Sequence, residues 1–283
     1  MATLDATACH EAMKGGVTGI GCNDKKLIAA TCTRTKAQLA RTAKRYRALY
    51  DRDLRDDIKG ETGGDYGRMV YYATAPRAQY VAEMISLACD GMGCNETILV
   101  ETFTTCTTAE LRQGKKAWEG KSDRSLVDYL SSELGSSYDG LRKLLLKLLE
   151  GDVSKAEDAD EEKAARQAET LKKELDDTGM WRSQDEGPPC LIPIVGGNTQ
   201  AQNAALARAF EAAYDVSLAK ALSDKCGDKL GLALRALLLP KEDVLAARLR
   251  KAMEGWGSDD RALVRILAGI DGRQLAAVSA AYQ

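Results

Sequence analysis

The chain has 283 residues, 45% of them hydrophobic, which is enough to bury the core of one or two domains. Lys and Arg total 40 and Asp and Glu total 42, so the net charge of −2 excludes a global attraction to nucleic acid. Binding to an anionic membrane must for the same reason be local or ion-mediated. The eight Cys residues do not make a disulfide scaffold in a chain of this length, so we expect reduced, small, buried side chains, the alternative being catalysis or redox sensing. Cys22 and Cys94 are the exceptions, because they lie in exposed turns where they are open to oxidation.

Targeting signals are missing from the sequence. The first residues form neither a basic nor an apolar stretch, which predicts no secretory signal. The sequence contains no run of about 18 apolar residues, so it predicts no membrane span. We therefore expect a cytoplasmic protein.

The sequence repeats itself at a shift of 72 residues, without gaps, over about seventy positions. At this shift Gly19, Gly21, Cys22, Asn23 and Glu61 align with Gly91, Gly93, Cys94, Asn95 and Glu133. A shift of 164 aligns Gly91 and Gly93 with Gly255 and Gly257, which begin another copy. A poorer copy lies between the second copy and this last one.

The second copy shows the elements of one repeat most clearly. The stretches CNETILVETFTTC, TAELRQGKKAWEG, DRSLVDYLSSEL and YDGLRKLLLKLLEG each have helical spacing, and the last ends in a glycine typical of a helix C-cap. Only CLIPIV, at 190–195, has the composition of a strand. The charged, Ala-rich stretch that begins at Gly151 predicts a solvated connector that runs into a helix.

These patterns divide the chain into five segments of an all-α repeat protein. We predict repeat 1 at 1–76, repeat 2 at 77–150, a charged connector at 151–166, a divergent repeat 3 at 167–240 and a partial repeat 4 at 241–283.

The glycine turns predict calcium sites. Glycines allow backbone carbonyls to turn outward, and a Glu follows the second glycine of each of the first two turns by forty residues. Carbonyl oxygens with one bidentate carboxylate suit Ca²⁺ better than zinc. The candidate ligands are Val17, Gly19 and Gly21 with Glu61, then Cys89, Gly91 and Gly93 with Glu133, and lastly Met253, Gly255 and Gly257.

The repeated G-x-G-[C/S]-[N/D]-[D/E] turn, the Glu forty residues later and the helix starts DRDL and DRSL together resemble the annexin family, from about His10 to Gln283. The resemblance implies four five-helix repeats in a curved disk, with the last repeat truncated. It also implies calcium-dependent binding to anionic phospholipid at the convex face. The residues between the glycines, Ile20, Met92 and Trp256, are then expected to enter the membrane interface, and Trp181 likewise; the alternative is packing on neighbouring helices.

The sequence departs from the family pattern in its second half. In repeat 3, Arg182 and Lys225 stand where a glycine and the acid belong, so we assign no metal there. These two side chains are candidates for direct contact with lipid phosphate, and the alternative is pairing with Asp185 or Asp224. The acid of repeat 4 would lie beyond residue 283.

Two other function classes compete with membrane binding. One is a calcium-independent scaffold attached to the cytoskeleton, as in the annexin-like alpha-giardins, which the degenerate third and fourth sites favour and the first two oppose. The other is an enzyme, which nothing supports: no glycine-rich phosphate loop follows a strand, and His10 has no triad partners. We expect a non-enzymatic protein that is a monomer in solution, assembles on membranes and has no nucleic-acid partner.

Overall fold

The computed structural model of the chain describes residues 1–15, 21–91, 93–151, 158–177, 187–255 and 257–283. Within those ranges the chain forms α-helices and one 3-10 turn and has no strand, which confirms the all-α prediction. The stretch CLIPIV, which has the composition of a strand, forms the short helix Leu191–Val195 instead.

The helices occur in sets that follow the sequence repeats. The first set is α1 (Ala2–Met13), α2 (Asp24–Thr31), α3 (Lys36–Tyr50), α4 (Leu54–Glu61) and α5 (Gly64–Ala73). The second is α6 (Arg77–Ala88), α7 (Glu96–Thr105), α8 (Thr108–Glu119), α9 (Leu126–Glu133) and α10 (Asp139–Glu150). The third is α11 (Glu161–Asp176), α12 (Leu191–Val195), α13 (Gln200–Tyr214), α14 (Leu218–Lys225) and α15 (Asp228–Leu237). The fourth is α16 (Lys241–Ala252), α17 (Asp260–Gly269) and α18 (Gly272–Tyr282).

Equivalent residues cap equivalent helices. Thr35 and Thr107 each start the third helix of their set in a capping box, with Gln38 and Glu110 as the reciprocal partners. Asp271 does the same for α18. The local signals that end one helix and begin the next therefore recur with the repeat.

The chain divides into two compact units. The first comprises Met1–Tyr80 and Leu245–Gln283, so the first and fourth helix sets share a unit. The second is Val81–Val244 and holds most of the second and third sets. The predicted boundary at 166/167 lies inside α11, which begins at Glu161.

In the first unit, helices α5 and α17 pack together, and polar contacts tie the start of α6 to α17. The buried hydroxyl of Tyr80 donates to the carbonyl of Arg265 at 2.7 Å, and Arg77 donates to the carbonyl of Gly269 at 2.7 Å. A separate apolar cluster around Tyr46, Leu54 and Ile58 forms the core of the first set.

In the second unit, α11 packs along α13 and α7 packs against α15. The buried amide of Asn203 donates to the carbonyls of Val195 and Leu237, at 2.9 and 3.2 Å. These contacts satisfy helix-end carbonyls inside the unit. No helix in the described part of the chain is long and apolar enough to cross a bilayer.

Candidate functional site

Three loops join the first and second helices of their sets in the same way. The backbone amide of Asn23 donates to the carbonyl of Ala12 at 2.7 Å, that of Asn95 to Ala88 at 2.6 Å, and that of Asp259 to Ala252 at 2.7 Å. The same three side chains cap the next helix, accepting from the amides of Lys26, Ile98 and Ala262. One Asn or Asp residue therefore closes each loop at its base and starts the following helix.

Each loop contains a pair of glycines with left-handed backbone. Gly91 and Gly93 have φ of 114° and 86°, and Gly255 and Gly257 have φ of 96° and 94°. A Cβ added at any of these four positions meets nothing within 4 Å. The glycines are therefore needed for the backbone conformation and not for space.

The first loop is longer than the other two. Asn23 follows Ala12 by eleven positions, whereas Asn95 follows Ala88 and Asp259 follows Ala252 by seven. Counted from the basal hydrogen bond, Met13 matches Cys89 and Met253, and Gly15 matches Gly91 and Gly255. Gly15 has φ of 80° and Gly21 has φ of 87°, the same pair of left-handed glycines.

Sequence reasoning therefore missed two residues of the first loop, Met13 and Gly15. The shift of 72 was applied without a gap, which placed Val17 and Gly19 opposite Cys89 and Gly91. The signal was present, because the stretch AMKG at 12–15 closely matches AMEG at 252–255.

The acids predicted to complete the sites occupy equivalent helix ends. Glu61 is the last residue of α4 and is exposed; Glu133 is the last residue of α9 and is half-buried. Lys225 occupies the same position in α14. A carboxylate at a helix C-terminus faces the negative end of the helix dipole, which costs about 0.3–1 kcal/mol, whereas a lysine gains a similar amount.

In the second helix set, Tyr129 of α9 lies beside the glycine loop between α6 and α7. Its hydroxyl donates to the carbonyl of Cys89 at 3.4 Å. Burial, the Glu133 carboxylate and the Asp90 carboxylate together raise the pKa of Tyr129. The structure thus places Glu133 and two residues of the glycine loop, Cys89 and Asp90, around one phenol group.

The first set has a related arrangement. Burial raises the pKa of the Cys22 thiol to about 11, and the carboxylates of Asp24 and Glu61 add to the effect. The Tyr66 hydroxyl donates to the carbonyl of Asp24 at 3.4 Å. Glu61 is therefore near enough to the end of the first glycine loop to act on Cys22 electrostatically.

One expectation about the cysteines is wrong. Cys89 and Cys94 form a disulfide bond, with their Cα atoms 4.4 Å apart, instead of being two reduced thiols. The bond spans the second glycine loop. The other six cysteines, Cys9, Cys22, Cys32, Cys106, Cys190 and Cys226, are not part of a disulfide bond.

Several predicted site residues lie outside the described residues: Val17, Gly19, Ile20, Met92, Trp181, Arg182 and Trp256. Among the described residues no three His, Cys, Asp or Glu side chains gather into a metal cluster. A cation held by the described loops would therefore need backbone oxygens among its ligands. Such a site does not require a cluster of acidic side chains.

Helix sets with closed glycine loops and an acid or a lysine at an equivalent helix end define an α-helical repeat protein. The chain belongs to the annexin family: the family model described as Annexin matches residues 5–72, 80–148 and 245–283, more than half of the chain. The matched ranges omit 149–244, which contains the divergent third repeat.

Similarity to individual annexins extends over most of the chain. It is 26% identical to human Annexin A13 over 99% of this chain and 85% of that protein, and 30% identical to Annexin A3 of Bos taurus over 91% and 78%. The solved structure of annexin III superposes with a TM-score of 0.87 at 25% identity, covering all of this chain and 85% of the other. The calcium-bound structure of alpha-14 giardin superposes with a TM-score of 0.78 at 21% identity, covering both chains completely.

Proposed function

We propose that this protein binds anionic phospholipid membranes in a calcium-dependent manner, as a non-enzymatic annexin. The observation that carries the proposal is the shared geometry of the glycine loops at Ala12–Asn23, Ala88–Asn95 and Ala252–Asp259, each closed by one hydrogen bond and each with two left-handed glycines. Family membership supports the same activity, and the alpha-14 giardin neighbour was solved with calcium bound.

The donor set of the second loop fits calcium. Cys89, Gly91 and Gly93 would offer carbonyl oxygens, and Glu133 would offer a carboxylate, so that all ligands are hard oxygens. This makes about five protein ligands of the ~6–8 that Ca²⁺ takes. Water or a lipid phosphate oxygen would fill the remaining positions, and the bound cation would join the loop to an anionic headgroup.

The helix-end acids provide a second line of support. Neither Glu61 nor Glu133 is favoured by the helix that it ends, since the C-terminal dipole repels a carboxylate. Residues that break a local preference without a compensating contact concentrate at functional sites. A cation bound to the neighbouring loop would remove the repulsion.

The three loops differ in what completes them. For the first loop we propose the carbonyls of Met13, Gly15 and Gly21 with Glu61, and Val17 and Gly19 stay sequence-based predictions. For the fourth we propose Met253, Gly255 and Gly257 without a carboxylate from the chain, which makes it the weakest of the three.

The membrane contacts follow from the loops. Ile20, Met92 and Trp256 lie between the two glycines of their turns in the sequence, so a loop held against headgroups would direct them to the interface. Trp181 is proposed for the same role in the third repeat. The protein would then be cytoplasmic and monomeric in solution, and peripheral on the membrane when calcium rises.

Co-sedimentation with vesicles tests the proposal. The protein should pellet with phosphatidylserine-containing vesicles in Ca²⁺, stay in the supernatant with chelator or with Mg²⁺, and ignore pure phosphatidylcholine. Failure to pellet in Ca²⁺ would contradict the proposal. If the protein also pelleted with actin filaments or microtubules regardless of Ca²⁺, the alternative of a cytoskeletal scaffold would replace it.

A further inference from the structure

The second glycine loop is the only one of the three described loops with a cysteine at each end. Cys89 and Cys94 flank the four residues 90–93 and are joined by a disulfide. The matching positions are Met13 and Cys22 in the first loop and Met253 and Ser258 in the fourth. The bridge therefore belongs to one loop and is not a general requirement of the repeat.

The bridge is not what creates the turn. The unbridged fourth loop has the same basal hydrogen bond, 2.7 Å against 2.6 Å, and its glycines take the same left-handed conformation. What a covalent link across residues 89–94 adds is a restriction of the conformations that the loop visits when no ligand is bound. Because the restricted conformation resembles that of the unbridged loop, the restriction favours the conformation proposed to bind the cation.

We propose that reversible oxidation of Cys89 and Cys94 controls the calcium affinity of the second loop, the bridged form binding more tightly than the dithiol form. The inference rests on the proposed function, since it concerns the regulation of the same loop. Restricting one short loop before binding is expected to raise its calcium affinity about threefold to tenfold. The reason is that ordering a few groups on binding lowers an affinity by about tenfold or less.

The chemistry is thiol–disulfide exchange. A thiolate of a dithiol reductant attacks one sulfur of the bridge and forms a mixed disulfide; its second thiolate then displaces the protein sulfur. Two electrons and two protons reach the protein, which gains two thiols, and the reductant becomes a disulfide. Glutathione disulfide reverses the reaction and leaves as two glutathione molecules. Cys94 is half-buried and Cys89 is 6% exposed, so attack through Cys94 is favoured.

A count of thiols and a calcium titration test the proposal together. The protein is treated with glutathione disulfide, freed of glutathione by gel filtration, and checked by mass spectrometry to carry no attached glutathione. The denatured protein should then show six free thiols, and after reduction eight. Calcium-dependent binding to phosphatidylserine vesicles is then measured in a Glu61→Gln background, where the first loop lacks its acid. The calcium midpoint of the reduced form should be about threefold to tenfold higher.

Two variants show whether the effect comes from this bridge. In the same background, Cys94→Ser should have the calcium midpoint of the reduced protein, both after oxidation and after reduction. Serine already occupies the matching position, Ser258, of the fourth loop. Cys22→Ser, the matched change in the first loop, should keep the full redox response.

Each contrary result has its own meaning. Equal midpoints for protein with six and with eight free thiols would overturn redox control and leave calcium-dependent binding intact, and so would eight free thiols after oxidation. Absence of calcium-dependent binding in both forms of the wild-type protein would overturn the proposed function and the redox control with it.

Discussion

The hydroxyl of Tyr129 donates a hydrogen bond to the carbonyl oxygen of Cys89, 3.4 Å away, and so links the middle of α9 to the second glycine loop. The two residues lie forty positions apart, the same spacing that separates Gly93 from Glu133. The contact provides a way to perturb a proposed calcium ligand without removing it.

Replacing Tyr129 by Phe should weaken calcium binding at the second loop about twofold to fivefold, because the Cys89 carbonyl loses an orienting partner worth about 0.5–1 kcal/mol. The ring contact with Trp118, 4.8 Å between centroids, should survive and preserve the fold. Calcium titration of vesicle binding measures the effect. Tyr66→Phe is the matched control, because the Tyr66 hydroxyl contacts Asp24, which is not a proposed ligand. Equal loss in both variants would argue against a specific role for Tyr129.

A partly buried ion pair joins α1 to the turn that precedes α3. Arg34 donates two hydrogen bonds to Asp5, at 2.9 and 2.8 Å, and Asp5 is 6% exposed. Asp5→Asn should lower the free energy of unfolding by about 1–3 kcal/mol in urea titrations at pH 7. The exposed pair of Arg68 and Asp65 supplies the control, since Asp65→Asn should cost no more than about 1 kcal/mol.

The same pair predicts a pH dependence. The hydrogen bonds from Arg34 hold the pKa of Asp5 below its usual value of 3.8. A carboxyl whose pKa is lowered on folding stabilises the protein above the unfolded pKa and loses that effect as the pH falls through the folded one. The stability difference between wild type and Asp5→Asn should therefore persist down to about pH 4 and shrink below it. A difference that grew below pH 4 would contradict the assignment.

Gly269 lies against the ring of Tyr80 in the first unit. A Cβ added there would lie 2.5 Å from the Tyr80 hydroxyl oxygen, which donates to the carbonyl of Arg265. Gly269→Ala should therefore displace the ring and lower the free energy of unfolding by about 1–3 kcal/mol. Gly272→Ala, where the added Cβ meets nothing within 4 Å, should be neutral or stabilising. Urea unfolding of both variants separates the contact from a general effect of glycine replacement.

The basic residues of the third repeat either contact lipid phosphate or pair with neighbouring acids, and a double variant separates these alternatives, with the following result expected for phosphate contact. Removing both charges, Arg182→Gln with Lys225→Gln, should weaken vesicle binding at saturating calcium, by about 1 kcal/mol per lost contact, and make its salt dependence shallower. Lys220→Gln, an exposed change at the other end of α14, should do neither. If the double variant binds like wild type, the two residues serve only to pair with neighbouring acids such as Asp185 or Asp224.

Much of the fold could be predicted from the repeats. The shift of 72 places Asn23 opposite Asn95 and Thr35 opposite Thr107, and each pair caps equivalent helices. Capping side chains act within three residues, so a repeated local signal gives a repeated helix boundary. The CLIPIV stretch was ambiguous because a short apolar run suits a strand or a buried helix equally well.

Two features of the site depend on contacts that periodicity does not reveal. Four extra residues in the first loop hid the match of Met13 and Gly15 with the other loops, since only the hydrogen bond from Asn23 to Ala12 fixes the register. The bridge between Cys89 and Cys94 was missed because cysteine count and chain length argued against disulfides in general. Its local signal was the pair of cysteines at both ends of one glycine turn.

Glu61 and Glu133 are proposed to complete calcium sites with the glycine loops of their own repeats. The direct test is a calcium titration of binding to phosphatidylserine vesicles by the double variant Glu61→Gln with Glu133→Gln. Gln keeps the volume but removes the charge and the bidentate grip, so the calcium midpoint should rise at least about tenfold, with the helical circular dichroism spectrum unchanged. Glu150→Gln, an exposed acid at the end of α10, should leave the midpoint where it is. A double variant that binds as well as wild type at limiting calcium would show that these two carboxylates are not calcium ligands.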